Sequence, residues 1–191
     1  MIDIDEFGIH EGISEVILTT LSSDGVPNAA PMGLHRKGNR LFSRIYSSRT
    51  LDNLLSYPKA AANIVDDPVV FVQSALSDIE PEKFEFIEGF PVLKSAPGWI
   101  LFDCICKKGE NVSVAEFSPI KGRIIERKIH PINRGFNAVI EAAVHATRYV
   151  SLKDEKYLGQ IEYYSKIVQR CGAVRDKEAM RLLYELIGHP E

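Results

Sequence analysis

Residues 18–72 constrain this chain more than any other stretch, because they place two β-turn units and a hydroxyl-rich helix start in a fixed order. Leu18-Thr19-Thr20-Leu21 reads as the end of a β-branched strand beginning near Val16. Ser22-Ser23-Asp24-Gly25 supplies a turn, with Gly25 suited to positive φ. Asn28 to Leu34 resumes as a second strand that is rich in small residues, and Lys37-Gly38-Asn39 forms the next hairpin. Arg40 to Tyr46 is the third strand, with Leu41, Ser43 and Ile45 on one face and Phe42, Arg44 and Tyr46 on the other. It runs directly into Ser47-Ser48-Arg49-Thr50, the opening of a short helix that Pro58 ends. A helix start presents unpaired N–H groups and the positive end of the dipole, so hydroxyls and one Arg beside it make either an anion site or an ordinary N-cap next to a surface Arg.

Further on, Ala60 to Val65 is a strand of small side chains that would let a flat ligand or another backbone come close. Asp66-Asp67-Pro68 opens a second short helix, and Ile79-Glu80-Pro81-Glu82 is expected to open a third into Phe84, Phe86 and Ile87. Trp99 to Lys107, Ser113 to Ser118 and Lys121 to Lys128 read as three more strands, the last two separated at Pro119. Six or seven strands with short helices between them suit a small, partly open barrel. After Pro131 the period changes. Asn133 is a plausible N-cap, and Phe136, Val139, Ile140, Ala143, Val144 and Thr147 follow helical spacing. Asp154 to Cys171 and Arg175 to Ile187 repeat the pattern, with Gly172, then Gly188 and Pro190, as stops.

These blocks resemble the FMN-binding split-barrel superfamily, which holds the flavin reductases and the pyridoxamine-phosphate oxidase-like proteins. Thr-Thr…Asp-Gly…Asn-Ala-Ala-Pro-Met-Gly at residues 19–33 and Ser-Arg-Thr…Asn at 48–53 are similar to a mainly archaeal, uncharacterised group within it. The resemblance implies an α+β, mainly β fold: a split β-barrel domain over 1–128 and a helical C-terminal extension over 129–191. It implies FMN as cofactor, with Ser47, Ser48, Arg49 and Thr50 at the phosphate and the strand from Asn28 through Ala30, Pro31, Met32 and Gly33 beside the isoalloxazine ring. Met32 offers a polarizable contact for an aromatic face. Asn53, one turn into the helix, either faces the same ligand or caps locally. Asn63 and Asp66 are weaker candidates for ring or ribityl contacts, since Asx residues before Pro68 are also common turn formers. Thr19 and Thr20 either bond near the flavin or satisfy β propensity alone.

The same resemblance implies a homodimer with flavin in a groove between two barrels, and a flavin-dependent oxidoreductase. NADH or NADPH would bind transiently, because no Gly-x-Gly-x-x-Gly fingerprint is present. Alternatives are a non-catalytic FMN-binding or electron-relay module, and a structural dimer with a vacant groove. No residue set in the barrel demands a catalytic acid, base or nucleophile, which fits chemistry carried by a cofactor. The helical tail departs from simple flavin reductases; it would lid the flavin, enlarge the dimer interface or bind a partner.

The tail carries its own polar stripe: Arg134, Asn137, Glu141, His145 and Arg148 recur at three- and four-residue steps. Glu141 and His145 have the spacing of two helical metal ligands, with His10, His35 or His130 as a third; the alternative is a hydrogen-bonded packing face, and no metal is expected. A formal charge of −3 with scattered Lys and Arg gives no footprint for nucleic acid or an acidic membrane, and Arg123, Arg127 and Lys128 read as a solvated strand edge. No apolar run reaches the ~18 residues a membrane span needs, and the acidic start lacks a signal-peptide pattern, so a cytoplasmic protein is expected. Three cysteines without a Cys-x-x-Cys pair argue for buried, inert thiols.

Overall fold

The computed structural model describes residues 2–129 and 131–189, so His130 and Pro190 lie outside the described residues. The chain divides into two compact units, one running to Asp66 and again over Ile79–Arg127, the other comprising Asp67–Asp78 and the chain from Lys128 onward.

The first unit is a closed antiparallel barrel. Its strands are β1 (Gly12–Leu21), β2 (Pro27–Lys37), β3 (Arg40–Ile45), β4 (Lys59–Ile64), β7 (Gly98–Lys107) and β8 (Ser113–Ile124), in the order β1-β2-β3-β8-β7-β4. β1 is the hinge of this order, because Ile17 stands opposite Pro31 on one side and opposite Asn63 on the other. Strand alternation turns Val16, Leu18, Leu34, Leu41, Ile45, Ile100, Phe102 and Phe117 inward, where Ala60 and Ala62 leave them room. Helix α1 (Arg49–Ser56) adds Leu51 and Leu54 to the same core.

The opposite faces of β4 and β7 carry Ala61, Trp99 and Leu101, which are also buried. A two-stranded hairpin, β5 (Phe84–Ile87) and β6 (Phe90–Leu93), covers them with Phe90 and Val92. This corrects the expectation of a helix through Phe84, Phe86 and Ile87. Only Pro81–Lys83 coils, as one 3-10 turn. Beyond it the side chains alternate with period two, and Glu88 (φ 52°) and Gly89 (φ 83°) both take the left-handed conformation of a two-residue hairpin turn. A second correction concerns Pro119, which does not separate two strands. β8 runs through it, and the register with β7 shifts between Leu101 and Phe102, whose partners are Lys121 and Pro119. A bulge there leaves proline's missing N–H without a ladder bond to lose.

The second unit is helical. α2 (Pro68–Leu76) starts at Asp67, whose carboxylate accepts the Val69 N–H at 2.9 Å. It packs with α3 (Arg134–Leu152) and α5 (Val174–Leu186), while α4 (Lys156–Cys171) lies along α3. The buried face of α3 is unusually small: Gly135, Ala138, Val139, Ala142, Ala143 and Ala146. Arg175 forks onto the Asp67 carboxylate (Nε 3.0 Å, Nη2 2.7 Å), tying α5 to the start of α2. Among the described residues no helix is long and apolar enough to cross a membrane.

Candidate functional site

The barrel seam between β2 and β3 is only partly zipped. The two strands pair at His35↔Phe42, Arg36↔Leu41 and Lys37↔Arg40, and the ladder goes no further toward Asn28. The Ser43 hydroxyl donates to the Gly33 carbonyl at 2.8 Å just beyond the last rung. From Asn28 to Leu34, β2 is therefore laddered to β1 on one edge while its other edge diverges from β3. A diverging edge leaves backbone donors and acceptors for another partner. Pro31 contributes a carbonyl but no N–H. Gly33 keeps the outer face low, since a Cβ there would meet Ile13 Cγ2 at 3.1 Å.

β3 ends beside this edge and delivers the loop that starts α1. Tyr46, Ser47, Ser48 and Arg49 are all exposed, whereas Thr50 is buried. Ser48 caps the helix: its Oγ accepts the Leu51 N–H at 3.4 Å and donates to the Tyr46 carbonyl at 3.0 Å. A cap that spends its hydroxyl this way leaves the first N–H groups of the helix facing outward next to Ser47 and the Arg49 side chain.

Two amide–hydroxyl bonds hold α1 on the strands. Asn28 Nδ2 donates to Thr50 Oγ1 at 3.2 Å, and Asn53 Nδ2 donates to Thr20 Oγ1 at 3.0 Å. Thr20 and Asn28 are themselves cross-strand partners, so the four residues close into one group. The structure thus brings together Asn28, Ser47, Ser48, Arg49, Thr50 and Asn53, and sets Ala30, Pro31, Met32 and Gly33 along the adjoining edge. Ala30 and Met32 point inward, and Met32 is half-buried against the barrel core.

Asn63 is placed differently. It is fully buried on the outer face of β4, beneath the hairpin, where its Nδ2 donates to the Ile17 carbonyl and to Thr19 Oγ1, both at 3.0 Å. Its Oδ1 accepts the Leu93 N–H. Thr19 in turn donates to the carbonyls of Ala61 and Pro91. Asp66 lies past β4, immediately before the α2 cap. The roles of Thr19 and Thr20 escape a reading by propensity; the available signal is that adjacent strand residues face opposite ways, so one serves the hairpin and the other serves α1.

In the helical unit, Arg134, Asn137, Glu141 and Arg148 are exposed, but His145 is half-buried. Its ring stacks on Tyr164 (centroids 5.8 Å apart) and lies 6.0 Å from Tyr157, and its buried Nδ1 has no hydrogen-bond partner among the described residues. Burial, and then the Arg148 charge, push its pKa below the usual histidine value, with Glu141 opposing. His10 contacts Asp5 at 3.2 Å and His35 stacks on Phe42. Among the described residues no group of three or more His, Cys, Asp or Glu side chains converges to hold a metal. Cys104 is buried, and that burial drives its thiol far up from the ordinary range.

Comparison with known proteins agrees with this architecture. Residues 14–126 match a family model described as the N-terminal domain of a protein of unknown function (DUF447), and residues 133–185 match the companion DUF447 model. The crystal structure of an FMN-bound protein from Methanosarcina mazei, assigned to the same family, is 43% identical, with 96% of this chain and 100% of that chain covered and a TM-score of 0.90. More distant structures share the barrel fold alone. Flavoredoxin from Methanosarcina acetivorans is 13% identical over 62% of this chain and 72% of its own (TM-score 0.51). A flavin reductase domain protein from Arthrobacter sp. FB24 is 14% identical over 61% of this chain and 80% of its own (TM-score 0.51). With its FMN-binding split-barrel-like fold followed by three C-terminal helices, the chain belongs to the DUF447 family.

Proposed function

We propose that this chain binds FMN at the diverging β2 edge and works as a flavin-dependent oxidoreductase. The observation that carries the reading is the juxtaposition of that edge with the exposed Ser47-Ser48-Arg49 loop at the start of α1. The FMN-bound relative, alignable along its whole length, supports the choice of ligand. In this reading the Arg49 guanidinium, the Ser47 hydroxyl and the first N–H groups of α1 hold the phosphate, while Ser48 keeps its hydroxyl on the helix cap. Ala30, Pro31, Met32 and Gly33 line the isoalloxazine, with backbone groups meeting its polar edge and Met32 beneath it. Asn28, Thr50 and Asn53 hold the loop in place. Asn63 acts from behind, through the strands, because its polar atoms are already engaged.

Bound FMN supplies the hydride and electron transfer; the chain supplies position, and a nicotinamide donor would visit transiently. We further propose a homodimer with the flavin sites at its interface. A single row of cross-strand neighbours on the outer barrel face, Ile13, His35, Phe42, Glu116 and Ile105, supports a sheet-to-sheet contact. Ile13 and Ile105, at the two ends of this row, are 61% and 66% exposed.

The test is a visible absorption spectrum of the purified protein after FMN addition and removal of free flavin. A retained flavin band supports the reading, and a colourless protein overturns it. Oxidation of NADH or NADPH by the loaded protein then separates an enzyme from an FMN-holding or electron-relay module. Sedimentation at several protein concentrations decides the dimer.

A further inference from the structure

We infer that Thr20 and Asn53, which are buried and therefore offer no surface to a ligand, are positioning residues for the flavin phosphate. The inference rests on the FMN reading above. Thr20 is fully buried, Thr50 is 2% exposed and Asn53 is 4% exposed. The closed group they form with Asn28 sits at the end of the barrel that α1 covers. Leu51 and Leu54 already bind α1 to the core, and hydrophobic contact is non-directional. It fixes how deep the helix lies and leaves its rotation about its own axis soft.

The two amide–hydroxyl bonds remove that freedom. They grip α1 at Thr50 and Asn53, three residues apart on one face, and anchor it to neighbouring residues of two paired strands. Two such points define the rotation of a helix of only eight residues. Ser48 and Arg49 are covalently continuous with the gripped turn, so its rotation sets where the cap, the first N–H groups and the guanidinium point. A buried polar group of this kind is a costly way to hold a helix if adhesion is all that is needed, because each member must stay satisfied. It is an economical way to hold an angle. A phosphate site made of several converging donors depends on angle, since a misdirected N–H loses most of its bond.

The chain tested is the full-length protein, and the readout is FMN affinity from quenching of flavin fluorescence, taken alongside the thermal midpoint of the FMN-free protein. Thr20→Val keeps the shape and removes the acceptor; it is expected to weaken FMN binding about tenfold, while Thr20→Ser, which restores the hydroxyl, binds like the parent. Riboflavin, which lacks the phosphate, should bind the parent and Thr20→Val with the same affinity. A purely structural role would lower the thermal midpoint and leave the FMN affinity of the folded protein unchanged, and that result overturns the inference. Equal weakening toward FMN and riboflavin also overturns it. If Thr20→Val does not fold, Asn53→Ser is measured in its place with the same pair of ligands, and an unchanged FMN-to-riboflavin ratio rejects the inference. Failure of the unmodified protein to bind FMN is a separate result, and it removes the underlying function reading together with this one.

Discussion

Asn63 Oδ1 accepts the backbone N–H of Leu93 at 2.8 Å, and through that bond a barrel strand holds the hairpin laid across it. The other end of the same amide donates to Ile17, Thr19 and Ala61 at 3.0, 3.0 and 3.3 Å. The residue is completely buried, so its partners have no water to turn to when it is removed. Asn63→Leu, close in size, would leave the Leu93 N–H unsatisfied inside the barrel wall. The expected loss is about 2–4 kcal/mol, from one stranded backbone donor and the broken bonds beside it. Urea unfolding checks this through the midpoint at constant slope. A loss below ~1 kcal/mol would mean that the hairpin is held by Phe90 and Val92 alone.

Two glycines in the helical unit should respond in opposite directions to the same change. A Cβ on Gly135 would fall 2.3 Å from Gly172 Cα and 2.9 Å from Asp176 Oδ2, so the start of α3 and the turn before α5 would have to separate. Asp176 is buried there and accepts from Asn133 Nδ2 and the Ala173 N–H, both at 2.8 Å. Any separation stretches these bonds too. Alanine gains up to ~1 kcal/mol in helix propensity, but overpacking against backbone costs more, and Gly135→Ala should destabilise by about 1–3 kcal/mol. A Cβ on Gly159 in α4 would meet nothing within 4 Å among the described residues. Gly159→Ala should therefore stabilise by about 0.5–1 kcal/mol. Equal thermal midpoints for the two variants would contradict this account of the α3 packing.

His145 gives the helical unit a pH dependence of defined sign. Its folded pKa lies below the ordinary histidine value because burial disfavours the cation and Arg148 repels it. The unfolded chain then binds the proton more readily than the folded one, so stability rises with pH across this interval. The contribution is fully present above the unfolded pKa of about 6.5 and is lost as pH falls through the folded value. His145→Phe keeps a ring between Tyr157 and Tyr164 and cannot take the proton. The thermal midpoint of the parent should therefore fall faster than that of His145→Phe as pH drops below neutrality. Parallel profiles would show that this ring does not sense the proton.

The strands of the barrel and the long tail helices were legible because their side chains repeat with the period of the element. Ser47 to Thr50 was legible as a helix start for a related reason, since cap chemistry is local. What needed the structure was any role set by an element distant in sequence. Asn63 resembles a turn former until the hairpin is seen above it. Residues 84–93 carry apolar side chains that suit a helix or a strand, and the turn at Glu88-Gly89 decides between them. α2 follows the fourth barrel strand directly, yet its apolar face is completed by α3 and α5, whose residues appear only near the end of the chain. The contrast between Thr19 and Thr20 is of the same kind: period two separates them, and only the fold says what each one meets.

Arg49 is the residue whose removal should test the phosphate site most directly. It is exposed at the first position of α1, and the thermal midpoint of the FMN-free variant, taken alongside, keeps a stability effect apart from a binding effect. If its guanidinium makes charged hydrogen bonds to the FMN phosphate, Arg49→Ala should cost about 1.5–3 kcal/mol of binding, or roughly ten- to 150-fold in affinity. Arg49→Lys should recover part of this, because the charge remains while the bidentate fork does not. Riboflavin binding should be the same in all three proteins. The affinity gap between parent and Arg49→Ala should also narrow as salt is added, since an exposed ion pair is screened within about 10 Å at moderate ionic strength. Equilibrium titration of FMN at two salt concentrations checks both effects, and equal affinities in Arg49→Ala and parent would move the phosphate away from the start of α1.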